Sequence, residues 1–435
     1  MGVRGLTLSA VILAFAAITP AAAQGQTTQQ ITLDDAAALL VQGGKLAEAK
    51  RVLAAQLEKA PDDPQALFLS GLVAVAEKDY DKAIEQFRHI LVLEPDVERV
   101  RLELARAFFL AGDYTNAERQ FRFARAGNLP DEVKANIDTY LANIALQRRW
   151  QYRFALAVAP DTNVNGGTGV RQVTIYGLPF ELSSDARGTS GVGLTLDTGG
   201  EWSPFLTDNI KARIGADVHR NEYSGGKFDD MTLSAYAGPE WLAAKWDISL
   251  LGLWSRRWYG NRDYSEAIGG QLSVMHPLAE KLYANIGVNA RTVNYATSPA
   301  MSGPVVGLDT SLLYPITPSS LVQLSGGVSR TFADLAAYSN WSPWVSVSYQ
   351  QDLPWGFSVA LTPSIAWSHY DDEMAGFGRR RDDTGYLFRV GLLNRRLTYR
   401  GFTPQISFVH VTQHSNIDLY SYGRNQVEIG VTRYF

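Results

Sequence analysis

Residues 425–435 read NQVEIGVTRYF, and their alternation decides the fold of the half of the chain that contains them. Val427, Ile429, Val431 and Phe435 share one face of an extended segment, and Gln426, Glu428, Gly430 and Thr432 share the other. The last residues of water-soluble domains usually fray. A half-apolar strand that closes on an aromatic residue is what a barrel in lipid requires, because the last strand must pair with the first to leave no backbone edge in hydrocarbon. Gly430, Tyr434 and Phe435 are therefore candidates for a barrel-assembly signal. Arg433 lies on the apolar face, where its long stem lets it snorkel to the water interface.

The same period of two runs back to residue 149. WQYRFALAV places Trp150, Tyr152, Phe154, Leu156 and Val158 opposite Gln151, Arg153 and two alanines. IKARIGADVH sets Ile210, Ile214 and Val218 against Lys211, Arg213 and Asp217. WDISLLGLW sets Trp246, Ile248, Leu250 and Trp254 against Asp247 and Ser249. LYANIGVNAR opposes Ile286 and Val288 to Asn285, Asn289 and Arg291. These half-apolar runs read as strands of about 10–15 residues, longer than those of soluble sandwiches. Aromatic residues at both ends of the apolar face match the girdles of a membrane barrel. Short links such as LAEK and ITPSS alternate with longer ones such as NEYSGGKFDD and HYDDEMAGFGRRRDD, as short turns alternate with long outer loops. About 14 antiparallel strands are predicted, beginning near 150, 190, 209, 230, 245, 264, 281, 305, 320, 341, 355, 384, 402 and 424. The candidate lumen lining is Arg153, Lys211, Arg213, Asp217, Asp247, Asn285, Asn289, Arg291, Asp309, Arg389 and Glu428, which is wet and of mixed sign. Leu250 is expected to face lipid and Ser249 water, so that arginine is tolerated at 249 alone.

The first half repeats itself instead. Ala49, Ala83 and Ala117 recur at intervals of 34 residues, as do Leu53, Phe87 and Phe121. Leu46, Tyr80 and Tyr114 keep the same interval, and Pro61 and Pro95 close the first two units. That is the length and layout of a tetratricopeptide repeat. Gly71 sits where the first helix of the second unit must approach its neighbour closely. A segment from Pro130, with Val133, Ile137, Tyr140, Leu141 and Ile144 on one face, reads as a capping helix. An α-helical solenoid over 24–148 therefore precedes a transmembrane β-barrel over 149–435. Solenoids of this kind present a concave binding surface.

Residues 1–23 carry one charge, Arg4, an apolar run from Leu6 to Ala17, and a small-residue site ending at Ala23. This is the pattern of a cleaved secretory signal peptide, with mature protein starting at Gln24. There is no cysteine, so neither a disulfide nor a lipid-bearing thiol exists. With 44 acidic and 40 basic residues, the net charge of -4 gives no reason to expect a nucleic-acid partner. No nucleophile motif, phosphate loop or metal constellation appears, so no enzyme activity, cofactor or metal is expected. The six histidines are scattered; His410 and His414 read as barrel side chains. DTNVNGG, 161–167, offers calcium-type ligands but also reads as a turn-rich exit from the first strand. GRRRDD, 378–383, reads as a solvated loop with internal ion pairs, or as a contact for lipopolysaccharide phosphates.

A signal segment, a short tetratricopeptide array and a barrel ending in phenylalanine together resemble the surface lipoprotein assembly modulators (Slam proteins). The repeats of 46–121, the stretch WQYRFALAVAPDTNVN and the terminal VTRYF carry the resemblance. It implies residence in the Gram-negative outer membrane with the repeats in the periplasm. It also implies contact with outer-membrane lipid, lipopolysaccharide and the barrel-insertion machinery, and a client that is a surface lipoprotein or secreted protein. The repeats would receive the client and the barrel would conduct it; no catalytic residue carries over. A polysaccharide exporter and a passive porin are the alternatives.

Overall fold

The computed structural model describes residues 43–147, 149–243 and 245–434. The predicted signal segment, the start at Gln24 and Phe435 lie outside the described residues. Among the described residues six helices precede the strands: α1 (Leu46–Lys59), α2 (Pro64–Ala76), α3 (Tyr80–Leu93), α4 (Glu98–Leu110), α5 (Tyr114–Arg125) and α6 (Asp131–Gln147). Asp79 and Asp113, 34 residues apart, cap α3 and α5 by accepting hydrogen bonds from the Lys82 and Asn116 amides. Pro95 follows the cap residue of α3, where a helix cannot continue. Ala49, Leu53, Ala83, Phe87, Ala117 and Phe121 are all buried, and Tyr80 and Tyr114 are partly buried. A Cβ added to Gly71 would lie 2.5 Å from the Phe87 ring, so the phenylalanine of one helix occupies the space left by the glycine of the other. Tyr140 of α6 stacks on Phe121 at 4.8 Å and meets Phe109 edge-on, closing the array. Among the described residues no helix is long and apolar enough to cross a membrane.

Among the described residues fourteen long antiparallel strands follow, the third paired at its start with a short strand, Phe205–Thr207, and they close on themselves. They are β1 (Trp150–Asp161), β2 (Gly191–Trp202), β3 (Ile210–Tyr223), β4 (Asp230–Leu242), β5 (Asp247–Tyr259), β6 (Arg262–Ala279) and β7 (Leu282–Tyr295), then β8 (Gly303–Thr317), β9 (Ser320–Thr331), β10 (Asn340–Asp352), β11 (Phe357–Met374), β12 (Arg379–Asn394), β13 (Thr403–Ser415) and β14 (Tyr422–Tyr434). Leu156, Leu194, Leu250, Ile286, Leu308, Leu324, Ile406 and Ile429 form an exposed apolar band on the outer face. Trp150, stacked on Tyr152 and Trp202, marks its lower edge, and Phe332 and Trp341, flanking Arg330, mark the upper. Both barrel ends of the chain lie at the end where the helices sit, here termed the near end.

One expectation about the far end needs correction. HYDDEMAGFGRRRDD is not a loop: β11 and β12 run on to a turn at 375–378, and Arg381 pairs with Asp383 at 2.6 Å within a strand. The long first connection carries its own hairpin, Gln172–Ile175 paired with Leu178–Glu181, and the Tyr176 amide bonds the Gly376 carbonyl across the rim.

The seam is made by β1 and β14, with Ala157 opposite Gly430. A Cβ on Gly430 would stand 2.0 Å from the Leu156 carbonyl oxygen, an atom of the backbone that cannot swing aside. Gly423, in the same strand, has open space around it. Gly430→Val is therefore expected to abolish most of the compact barrel, whereas Gly423→Ala leaves it intact. Heat-modifiable gel mobility reads both; equal yields of compact form would disprove the seam constraint.

Candidate functional site

The barrel interior is polar, and its charges are arranged in pairs that span three strands at a time. Arg153 on β1 and Asp217 on β3 form an ion pair over Gly199 of β2, which is register-paired with both. A Cβ there would stand 1.9 Å from the Asp217 carboxylate. The device recurs one step along: Tyr236 of β4 donates its hydroxyl to Glu201 of β2 at 2.8 Å, lying over Gly215 of β3. Arg213 grips the same Glu201 oxygen at 2.7 and 3.0 Å and stands 3.6 Å from Glu240. Elsewhere Asn289 donates to Asp309 at 3.1 Å, and Arg389 stands 3.6 Å from Glu428, which also accepts from Ser407. Asn285 and Arg291 are exposed on the same inward face.

Two of the predicted lining residues sit lower. Lys211 is buried, and its ammonium donates to the Ala145 carbonyl of α6. Asp247 lies beside Glu240 at the near rim. Ser249 faces inward but is 3 % exposed, its hydroxyl 2.7 Å from that of Ser273. The expectation that arginine is tolerated at 249 is therefore corrected: the inward face is packed at this level. At the far end the Asp161 carboxylate is engaged by Arg424 at 2.6 Å and by the Asn163 amide, and Asn163 bonds Gly167 and Gly423. DTNVNGG is thus a turn held by its own side chains. His410 and Asn425 are bonded on the outer face.

Glu201, Tyr236, Glu240 and the Asp197–His219 pair escape single-strand reading. Glu201 sits at an inward position of a glycine-rich strand, and only the register with β3 reveals its partners.

The helices cover the near mouth. Lys134 of α6 holds Glu280, in the β6–β7 turn, at 2.6 Å and keeps its carboxyl below the ordinary range. Arg125 donates to the Glu280 carbonyl and Lys281 to the Ala126 carbonyl. Arg122 lies over the Tyr283 ring. Ser319, in the β8–β9 turn, donates to Asp96 at 2.6 Å. Arg101 and Arg119 reach Asp352, at the end of β10. Among the described residues the inward charges alternate in sign and neutralise one another, and they form no one-sign ring of the kind an ion filter uses.

A family model described as "Surface lipoprotein assembly modifier" matches residues 150–435, and one described as "Surface lipoprotein assembly modifier, N-terminal TPR repeats" matches residues 36–121. The chain is 24% identical over 407 residues to surface lipoprotein assembly modifier 1 of Neisseria meningitidis, covering 91% of this chain and 81% of that protein. It is 23% identical over 385 residues to the surface lipoprotein assembly modifier of Moraxella catarrhalis, covering 87% and 75%. To the hemophilin secretion modulator of Acinetobacter baumannii it is 20% identical over 385 residues, covering 84% and 76%.

Proposed function

We propose, from the premise that this chain belongs to the surface lipoprotein assembly modifier family, that it delivers a secreted or surface-anchored protein across the outer membrane. The family and the barrel make it an outer-membrane protein with a role in surface lipoprotein assembly or secretion. The tetratricopeptide repeats stand in the periplasm, receive the client and pass it to the lumen. The single observation that carries this is the seating of the array on the near mouth of a barrel whose interior is polar and of mixed sign. The array would be superfluous for a passive porin. A polysaccharide exporter would stack aromatics along the lumen; Trp150, Tyr152, Trp202 and Trp341 lie on the outer face, and the inward Tyr236 spends its hydroxyl on Glu201. That outer band suits lipid and lipopolysaccharide, and the terminal strand suits recognition by the barrel-insertion machinery. The work is conduction, without covalent chemistry on the client.

The test is protease shaving of intact cells that make a lipidated or secreted β-rich protein encoded beside this gene. The client should be cleaved when this chain is present and protected when it is deleted. Unchanged cleavage in the deletion strain overturns the reading, and a loss confined to surface polysaccharide favours the exporter.

A further inference from the structure

The junction between helices and barrel holds more positive charge than it neutralises. Asp352 is 6 % exposed. Its carboxylate accepts from Ser358 at 2.5 Å and from Arg395, in the β12–β13 turn, at 2.7 Å. Two guanidinium groups from the helices stand over it, Arg101 of α4 at 3.6 Å and Arg119 of α5 at 3.8 Å. Three cations thus share one carboxylate. Asp96, the other acid acting on Arg101, is committed to the Ser319 hydroxyl.

Arg101 is the most telling member. It is 2 % exposed, and it spends two donors on Gln120 at 2.8 Å and on the Pro95 carbonyl at 2.6 Å. Burial pulls its guanidinium below the ordinary value, Arg119 adds to the effect, and Asp352 and Asp96 oppose it. The Nε of Arg101 and the Nη2 atoms of Arg119 and Arg395 are buried with no acceptor in hydrogen-bond range, Arg119 Nη2 standing 3.8 Å from the Asp352 carboxylate. Buried donors are rarely left unpaired, and a buried charge is tolerated only when it is paired and hydrogen-bonded. The cluster is therefore short of acceptors, and it straddles the boundary between two domains.

We propose that Arg101, Arg119 and Arg395 form a carboxylate-binding site that Asp352 fills from within, and that an acidic polypeptide segment displaces Asp352 and frees the helices from the near mouth. The inference rests on the reading that this chain moves a polypeptide. The resident group is a carboxylate, and the guanidinium fork suits a second one. A segment with several acidic side chains can satisfy all three arginines together, which Asp352 alone cannot. Displacement strands nothing, because Asp352 keeps the Ser358 hydroxyl while the incoming carboxylates take the three arginines.

The full chain has no cysteine, so Glu58→Cys in α1 and Asp208→Cys in the β2–β3 turn take spin labels uniquely; both sites are exposed. Electron-electron distance measurements in detergent should give one short, docked distance. Hexaglutamate should shift the population to longer distances, and sodium chloride of equal ionic strength should not. Asp352→Asn should show the longer distances without any peptide, with heat-modifiable mobility confirming an intact barrel. Arg119→Gln should raise the hexaglutamate concentration for half-effect roughly tenfold, as loss of a charge-assisted bond implies. A docked distance unmoved by both hexaglutamate and Asp352→Asn overturns the proposal, as does an equal response to salt. A response to inorganic phosphate with none to hexaglutamate overturns the polypeptide assignment. No client is present in this measurement, so its failure alongside normal protease shaving would leave the delivery reading standing.

Discussion

Deleting residues 24–148 is expected to leave an inserted barrel that brings little or no client to the cell surface. The barrel can lose the helices without losing its own closure, because the seam lies between β1 and β14. The groups exposed by the deletion, among them Lys211, Glu280, Lys281 and Ser319, are at the rim, where water replaces their helical partners. On the proposed function, what disappears is capture. An array joined directly to β1 would hold a weakly bound client at an effective concentration of about millimolar beside the mouth. Supplied as a separate periplasmic protein, the same repeats must find both partners by diffusion, and rescue should be poor. Protease accessibility of the client on intact cells measures delivery, and heat-modifiable mobility confirms the barrel. Undiminished client exposure with the barrel alone would show that the repeats do not capture cargo. Since the helices cover the near mouth, the truncated barrel should also sensitise cells to bulky antibiotics.

The two periods in the sequence explain why so much of this was readable. Buried positions of the repeats recur at 34, so Phe87 and Phe121 identify each other without any contact being known. Strands with one face in lipid must alternate, so the apolar band of Leu156, Leu250 and Ile429 was visible residue by residue. The signal fails where both faces are wet: β12, expected from near 384, begins at Arg379 because above the lipid nothing forces alternation. It fails again at the junction. Arg101 lies on a helix and Asp352 at the end of β10, and no local pattern links residues so far apart in sequence. Only the closed barrel, with the array seated on it, brings them together.

Leu250→Arg is expected to destabilise the barrel in lipid by about 2–4 kcal/mol, whereas Asn285→Arg should change it by about 0.5 kcal/mol or less. Leu250 is 48 % exposed on the outer face, beside Leu272 of β6. It stands four residues above Trp246 at the lower edge, and with a rise of about 3.3 Å per residue on a tilted strand this places it roughly 10 Å into a band about 25 Å tall. A guanidinium there is near the midplane and too deep to snorkel without distorting the bilayer. Asn285 faces the lumen and is exposed, so an arginine at that position stays hydrated among other polar groups. Ser249→Arg belongs to neither class. It points inward, yet the side chain would have to displace Ser273, and overpacking of this kind costs about 1–3 kcal/mol. The three variants therefore separate lipid exposure, lumen exposure and packing within two strands. Urea titrations of refolding into vesicles measure all three, and equal stability of Leu250→Arg and Asn285→Arg would reverse the facing of β5.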